Sequence, residues 1–256
     1  MTHLKLDHVV HYVNCVNDAV KTFQESGFHA VKGGSHKDWG TCNGLSYFGL
    51  SYVEWLGIED HEKLAKTTLN NPVFQDAKLL LPSHPVLHKL AIRTNDIDTV
   101  DALLKQQGFQ TSGPVANSRL DEQGNRINWK MLTIEGSFDD LPHPFFIQWK
   151  KTDEERVQYL KSLGVISTHD RGPFHISAVK LSVRKPEKAR RFWHETFKIP
   201  LGLDSQWPNS LNLSGVYLQF IQGNENRPVE VILSSSEQIE KDSLVIEQGH
   251  YRITGK

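Results

Sequence analysis

Glu54 stands in the aromatic stretch YVEW (52–55), and His8 stands in the apolar stretch LDHVV (6–10). A carboxylate and an imidazole are suited to proton transfer, and neither rests in an apolar run without a partner. YVEW recurs as FIQW at 146–149 and as YLQF at 217–220, with glutamine in place of Glu54. Three chance strands would leave Glu54 a surface carboxylate. One unit written three times would make it the centre of a site.

The repetition extends far beyond these strands. LDHVVHYVNCVNDAVKTFQESGF (6–28) aligns with HKLAIRTNDIDTVDALLKQQGF (88–109), so that Gly27-Phe28 falls on Gly108-Phe109. ISAVKLSVRKPEKARRFWHETF (176–197) joins the same register. In each copy the apolar period changes from alternation to helical spacing, the mark of a strand running into a helix. Val9 with Val13, Leu90 with Ile92, and Val179 with Leu181 and Val183 form the faces that pack on those helices. Helix starts are predicted near Asn17-Asp18, Asp96 and Pro186, and stops at Gly27 and Gly108. NGLSYFGLSYVEWLGI (43–58) lies over NSLNLSGVYLQFI (209–221) as alternating strands broken by a glycine turn, whereas the second copy carries an insertion at 137–144.

The fold class is therefore α+β, with repeated βαβββ units at 4–58, 88–150 and 176–235. Residues 59–87 form a linker of one or two helices, 151–175 a linker with a helix marked by Val157, Leu160 and Leu163, and 236–256 a tail.

A helix covers one face of such a sheet, so the other face needs a second copy or a ligand. Two units facing each other form a half-open barrel. By alternation the inner face receives His8, Val10 and Tyr12, then Tyr52, Glu54 and Leu56 from unit one. Unit two contributes Lys89, Ala91 and Arg93, then Phe146 and Gln148. Burying so many polar groups costs about 1–3 kcal/mol for each one left unsatisfied, so a ligand, metal or water must meet them. Lys89 and Arg93 suit a carboxylate or phosphate, unless they run out to solvent at the strand end. Glu54 alternatively pairs with Lys89 across the barrel, and His8 is alternatively a hydrogen-bonded core histidine. His36 and Asn43 lie in a glycine-rich segment, either lining the site or holding a turn with positive φ at Gly33 or Gly34.

A net charge of -1 argues against nucleic acid and acidic membrane surfaces as partners. The N-terminal run lacks the features of a signal peptide and no apolar window is long enough to span a bilayer, so a cytoplasmic location is expected. Cys15 and Cys42 are too few for a disulfide framework.

These units, with a histidine on the first strand and a glutamate on the last, resemble the vicinal oxygen chelate superfamily. That superfamily includes glyoxalase I, extradiol dioxygenases, methylmalonyl-CoA epimerase and the fosfomycin and bleomycin resistance proteins. GGSHKDWGTCN (33–43), PFFIQW and THDRGP (168–173) are similar to its glyoxalase-like domain subgroup, and the resemblance spans about 4–235. It implies a divalent ion (Zn, Ni, Mn or Fe) held by His8 and Glu54, with Gln148 as a weak amide ligand. Unit two departs from the pattern, because Lys89 occupies the first-strand position; unit three offers only Ala178 and Gln219. His88 or His36 is the replacement ligand if one exists.

The resemblance further implies an enzyme acting on a small oxygen-rich metabolite, anionic if Lys89 and Arg93 bind it. The chemistry is metal- or base-assisted, of the lyase or isomerase type, with Glu54 and His8 catalytic. Substrate contacts fall to Lys89, Arg93, His36, Asn43, Tyr12 and Gln148. Two alternatives stand: a non-catalytic protein that sequesters a small molecule, and an iron-dependent dioxygenase that requires His88 or His36 as a further ligand. A third unit without a partner points to a homodimer.

Overall fold

A computed structural model describes residues 3–36, 39–67, 71–120, 124 and 126–255. Unit one comprises β1 (Lys5–Tyr12), α1 (Val16–Glu25), β2 (Val31–His36), β3 (Thr41–Phe48) and β4 (Ser51–Ile58). Helices α2 (His61–Lys66) and α3 (Pro72–Leu80) follow. Unit two comprises β5 (Leu87–Arg93), α4 (Ile97–Gln106), β6 (Val115–Leu120), β7 (Arg126–Leu132), a small hairpin of β8 (Ser137–Phe138) and β9 (Leu141–Pro142), and β10 (Phe145–Trp149). After α5 (Asp153–Ser162) come β11 (His175–Val183), α6 (Pro186–Phe197), β12 (Ser210–Leu213) and β13 (Val216–Gln222). The chain closes with β14 (Arg227–Ser234), β15 (Asp242–Ile246) and β16 (Gly249–Thr254).

Local chemistry explains the helices. In α1 the buried side chains Val16, Ala19, Val20 and Phe23 recur at helical spacing, and complete burial of Phe23 contributes about 1.5–3 kcal/mol. The Asp96 side chain accepts from Thr99 N at the start of α4, and α6 begins with Pro186 in its first turn. Gly27 and Gly108 follow α1 and α4 with φ of 80° and 87°, the left-handed conformation that glycine takes without strain. Gly33 and Gly34 need no such conformation, since both lie within β2.

The first two units share an eight-stranded half-barrel sheet in the order β2-β3-β4-β1-β5-β10-β7-β6. At its centre β1 and β5 run antiparallel, with His8 opposite Ala91 and Val10 opposite Lys89. The register slips between Leu6 and His8, a bulge that turns the side chain of Asp7 toward that of His8.

The second sheet runs β12-β13-β11-β14-β16-β15 and repeats this plan in shortened form. Its central pair β11·β14 slips between Ile176 and Ala178 and again between Lys180 and Leu181, the places equivalent to the slips in β1·β5. β14 pairs parallel with β16, and β16 antiparallel with β15, as β5, β10 and β7 do. Residues 236–256, expected as a tail, thus carry two strands of a partner for the third unit, and that partner lacks a helix. The reason for expecting a homodimer, a unit left unpaired, is removed.

Side chains of unit one cover the helix-free strands. Tyr251 of β16 packs on Phe23 of α1, with ring centroids 5.0 Å apart. Its hydroxyl accepts from Trp55 Nε1 at 3.1 Å and lies 2.7 Å from His11 Nδ1. One buried cluster therefore joins the helix-side faces of both sheets, and the concave face of the first sheet is left for the site.

Candidate functional site

His8 lies between two carboxylates. Its Nδ1 is 2.8 Å from Asp7 Oδ1 and its Nε2 is 3.3 Å from Glu54 Oε2. The other Glu54 oxygen, Oε1, accepts from Asn43 Nδ2 at 2.5 Å. Strand alternation sets this up: Glu54 shares its face of β4 with Tyr52 and Leu56, while Val53 and Trp55 enter the core behind. Gly33 makes room for Asn43, because a Cβ there would collide with Asn43 Oδ1.

Charge is concentrated behind His8. Asp7 is fully buried; its Oδ2 accepts from Trp149 Nε1 at 2.9 Å and lies 3.4 Å from Arg156 Nη1 and 3.5 Å from Arg93 Nη1. Burial alone would push the Asp7 carboxyl up, but Arg156, His8 and Arg93 together hold it well below the usual carboxylate range. Burial would likewise discharge His8, yet its hydrogen bonds to Asp7 and Glu54 raise it to about 9. Glu54 is lowered to about 2: the burial penalty is outweighed by the His8 hydrogen bond and charge, by His36 and by Asn43. The result is an imidazolium flanked by two ionised carboxylates at neutral pH.

His8 and Glu54 form the floor of a cavity of about 570 Å³. His36 and Asn43 line it beside Glu54, and its walls are largely aromatic, from Trp39 and Phe74 at one side to Trp129 and Trp149 at the other. His36 Nδ1 lies 3.1 Å from Thr41 Oγ1. His8, Glu54, His36 and Asn43 are thus brought together in one cavity.

The other expected contacts lie elsewhere. Lys89 pairs with Asp76 of α3 rather than with Glu54. Arg93 is buried between Asp153, with Nε 3.0 Å from Oδ1, and the carbonyl of Leu6 at 3.3 Å. Tyr12 is fully buried and donates its hydroxyl to Val73 O at 2.7 Å. The common cause for Lys89 and Tyr12 is α3, which packs Val73 and Ala77 onto Val10, Leu56, Ala91 and Phe145 and fills that end of the half-barrel. Gln148 faces the opposite way: it accepts from Ile97 N and donates to Asn95 O, each at 2.9 Å, and so anchors the start of α4. Phe145, Ile147 and Trp149 line the cavity in its place. His88 turns to Asp76 at 3.6 Å, away from His8. His169, in THDRGP, accepts from His29 N at 2.9 Å and packs against Phe28 and Phe48, a structural role.

A family model described as glyoxalase-like domain matches residues 6–197. The chain belongs to the glyoxalase-like domain family. The crystal structure of a hypothetical protein from Staphylococcus aureus is similar along its whole length, with a TM-score of 0.84, 24% identity, and coverage of 99% of this chain and 100% of that one. A Streptomyces coelicolor methylmalonyl-CoA epimerase variant in complex with 2-nitronate-propionyl-CoA covers 57% of this chain and 98% of its own, with 13% identity and a TM-score of 0.44. Methylmalonyl-CoA epimerase from Mycobacterium tuberculosis covers 57% and 86%, with 19% identity and a TM-score of 0.37. The family match agrees with the resemblance of the sequence to the glyoxalase-like domain subgroup. No curated protein sequence matches the chain.

The described residues of this glyoxalase-like domain do not fit a metal centre. His8 Nε2 and Glu54 Oε2 stand as a potential ligand pair, and the Asp7 contact to Nδ1 is the kind of support that metal-bound histidines use. The described residues of unit two supply nothing to complete the set. Val10 pairs with Glu54 as Ala91 pairs with Phe145, so a phenyl ring occupies the second carboxylate position. Among the described residues no group of three His, Cys, Asp or Glu side chains converges. The iron dioxygenase alternative loses His88, and His36 does not complete such a group.

Sequence reasoning missed Asp7 and Arg156. Strict alternation sends Asp7 to the helix side, and only the bulge brings it round. The signal for Arg156 is faint: it is the buried residue next to Val157 on the α5 face that also carries Leu160.

Proposed function

We propose that this glyoxalase-like domain is an enzyme that removes a proton next to a carbonyl group of a small molecule bound in the His8–Glu54 cavity. One observation supports the reading above all: the ionised pair His8 Nε2···Glu54 Oε2 at 3.3 Å, on the cavity floor, with Asp7 holding the far ring nitrogen. A substrate carbonyl that accepts from His8 Nε2–H takes that donor away from Glu54. The Glu54 carboxylate, still buried, then loses its main stabilising partner and becomes more basic. Its Oε2 takes the proton from the carbon beside the carbonyl, the C–H electron pair moves into the enolate, and the His8 imidazolium stabilises the developing oxyanion. Asp7, through Nδ1, keeps the ring charged and oriented, and Asn43 fixes the other Glu54 oxygen. Return of the proton gives an isomerase outcome, and loss of a leaving group from the adjacent carbon gives a lyase outcome.

A second reading, sequestration without turnover, is favoured by one feature: both ring nitrogens of His8 and both oxygens of Glu54 already have partners within the protein. Deuterium exchange separates the two. Small carbonyl compounds that raise the melting temperature are incubated with the protein in D2O, and the hydrogens next to the carbonyl are followed by proton NMR. Proton transfer predicts exchange above the uncatalysed rate, abolished in Glu54→Gln. Compounds that bind and never exchange would leave sequestration.

A further inference from the structure

We infer that the ligand of this cavity is an uncharged compound with a flat aromatic body; the carbonyl group it carries rests on the proton-transfer reading. The first ground is charge. Among the described residues lining the cavity none is Lys or Arg. Among the described residues, Lys5, Lys89, Arg93 and Arg156 stand outside the lining, each committed to a carboxylate: Lys5 to Asp153 at 2.9 Å, Arg93 to Asp153 at 3.0 Å, Arg156 to Asp7 at 3.4 Å, and Lys89 to Asp76. An anionic ligand would be desolvated beside Glu54 with no Lys or Arg among the described lining residues, and with the His8 imidazolium already held by Asp7 and Glu54. A cationic ligand would have to take Glu54 from His8 and Asn43, which hold both of its oxygens.

The second ground is shape. Aromatic rings flank the floor on two sides and are braced by further rings. Trp39 stacks on Phe74, with centroids 4.4 Å apart and planes at 29°. Tyr52 lies under His8 at 4.5 Å and against Tyr47 at 4.4 Å. Trp129 and Trp149, 5.6 Å apart, close the side formed by unit two. Flat rings on opposite walls of one cavity suit a planar apolar group, while hydrogen-bonding chemistry is confined to the floor.

Three probes separate charge from shape: 2-hydroxyacetophenone (neutral, aromatic), phenylpyruvate (anionic, aromatic) and dihydroxyacetone (neutral, aliphatic). Because Trp39, Trp129 and Trp149 line the cavity, binding is read as quenching of tryptophan fluorescence. Affinity for 2-hydroxyacetophenone should exceed that for each of the other two by about tenfold or more, and Trp129→Leu should lose about tenfold with its melting temperature unchanged. Equal or tighter binding of phenylpyruvate or dihydroxyacetone, no binding of the neutral aromatic, or no effect of Trp129→Leu would overturn the inference. The same samples in D2O distinguish the two proposals. Quenching by 2-hydroxyacetophenone without exchange contradicts proton transfer and leaves the ligand class standing; exchange without aromatic preference does the reverse.

Discussion

His8 and His11 are three positions apart on β1 and are held in opposite charge states. Two carboxylates raise His8 to about 9, whereas burial, reinforced by the charge of Arg227, lowers His11 to about 3 and leaves it neutral against Tyr251. Their effects on stability therefore have opposite signs. For His8 the folded value lies above the ordinary one of 6.5, so its contribution is complete below that pH and is lost as pH rises through about 9. For His11 the stabilisation is complete above 6.5 and is lost as pH falls toward about 3; His88, His143 and His169, each lowered to about 4 chiefly by burial, act in the same direction. Glu54 contributes above its ordinary 4.5 and loses that contribution as pH falls through about 2. Melting temperature against pH should peak near 6.5, and His8→Ala should abolish the decline between 6.5 and about 9. The same variant strands Asp7 and Glu54 as buried carboxylates without their shared cation, at a cost of about 3–5 kcal/mol at pH 7 by urea unfolding. An unchanged alkaline limb would show that His8 carries no extra proton in the folded state.

At the scale of elements, the strand-helix units were legible because each amphipathic period has a single buried face. β4 reads correctly from YVEW alone, since Tyr52, Glu54 and Leu56 face one way and Val53 and Trp55 the other. FIQW misleads for a physical reason. The hairpin of β8 and β9 precedes it, so insertion length and not local alternation decides which residue of β10 meets β5, and Phe145 arrives at the position matching Glu54. Nothing in a polar linker announces that α3 will enter the half-barrel and draw Lys89 to Asp76. The register of β10 has a measurable consequence. Elemental analysis of the purified protein should find no stoichiometric divalent metal, and exhaustive chelation should leave the melting temperature unchanged. A stoichiometric ion that disappears in Glu54→Gln would contradict the β10 register.

The whole molecule is a complete two-unit half-barrel backed by a shortened one. In the second sheet the places of His8 and Glu54 are held by Ala178 and Gln219, and its concave face carries Lys180 and Arg252 on Glu230 instead of an open site. Its contribution is to the core. Tyr251 joins the two sheets through Phe23, Trp55 and His11, so they should unfold as one. Tyr251→Phe keeps the ring and removes the hydroxyl that serves Trp55 and His11; a loss of about 1–3 kcal/mol is expected, with a single calorimetric transition retained. Two separate transitions in the unmodified protein would show that the sheets are independent.

The charge on His8 is open to direct observation without any substrate. In protein labelled with nitrogen-15 at histidine, NMR titration should show the His8 ring, assigned by its loss in His8→Ala, with both nitrogens protonated at pH 7.5 and titrating at about 9. A His8 ring that is neutral at pH 7.5 and titrates near the ordinary value of 6.5 would contradict the ionised Asp7–His8–Glu54 line on which the proposed chemistry rests.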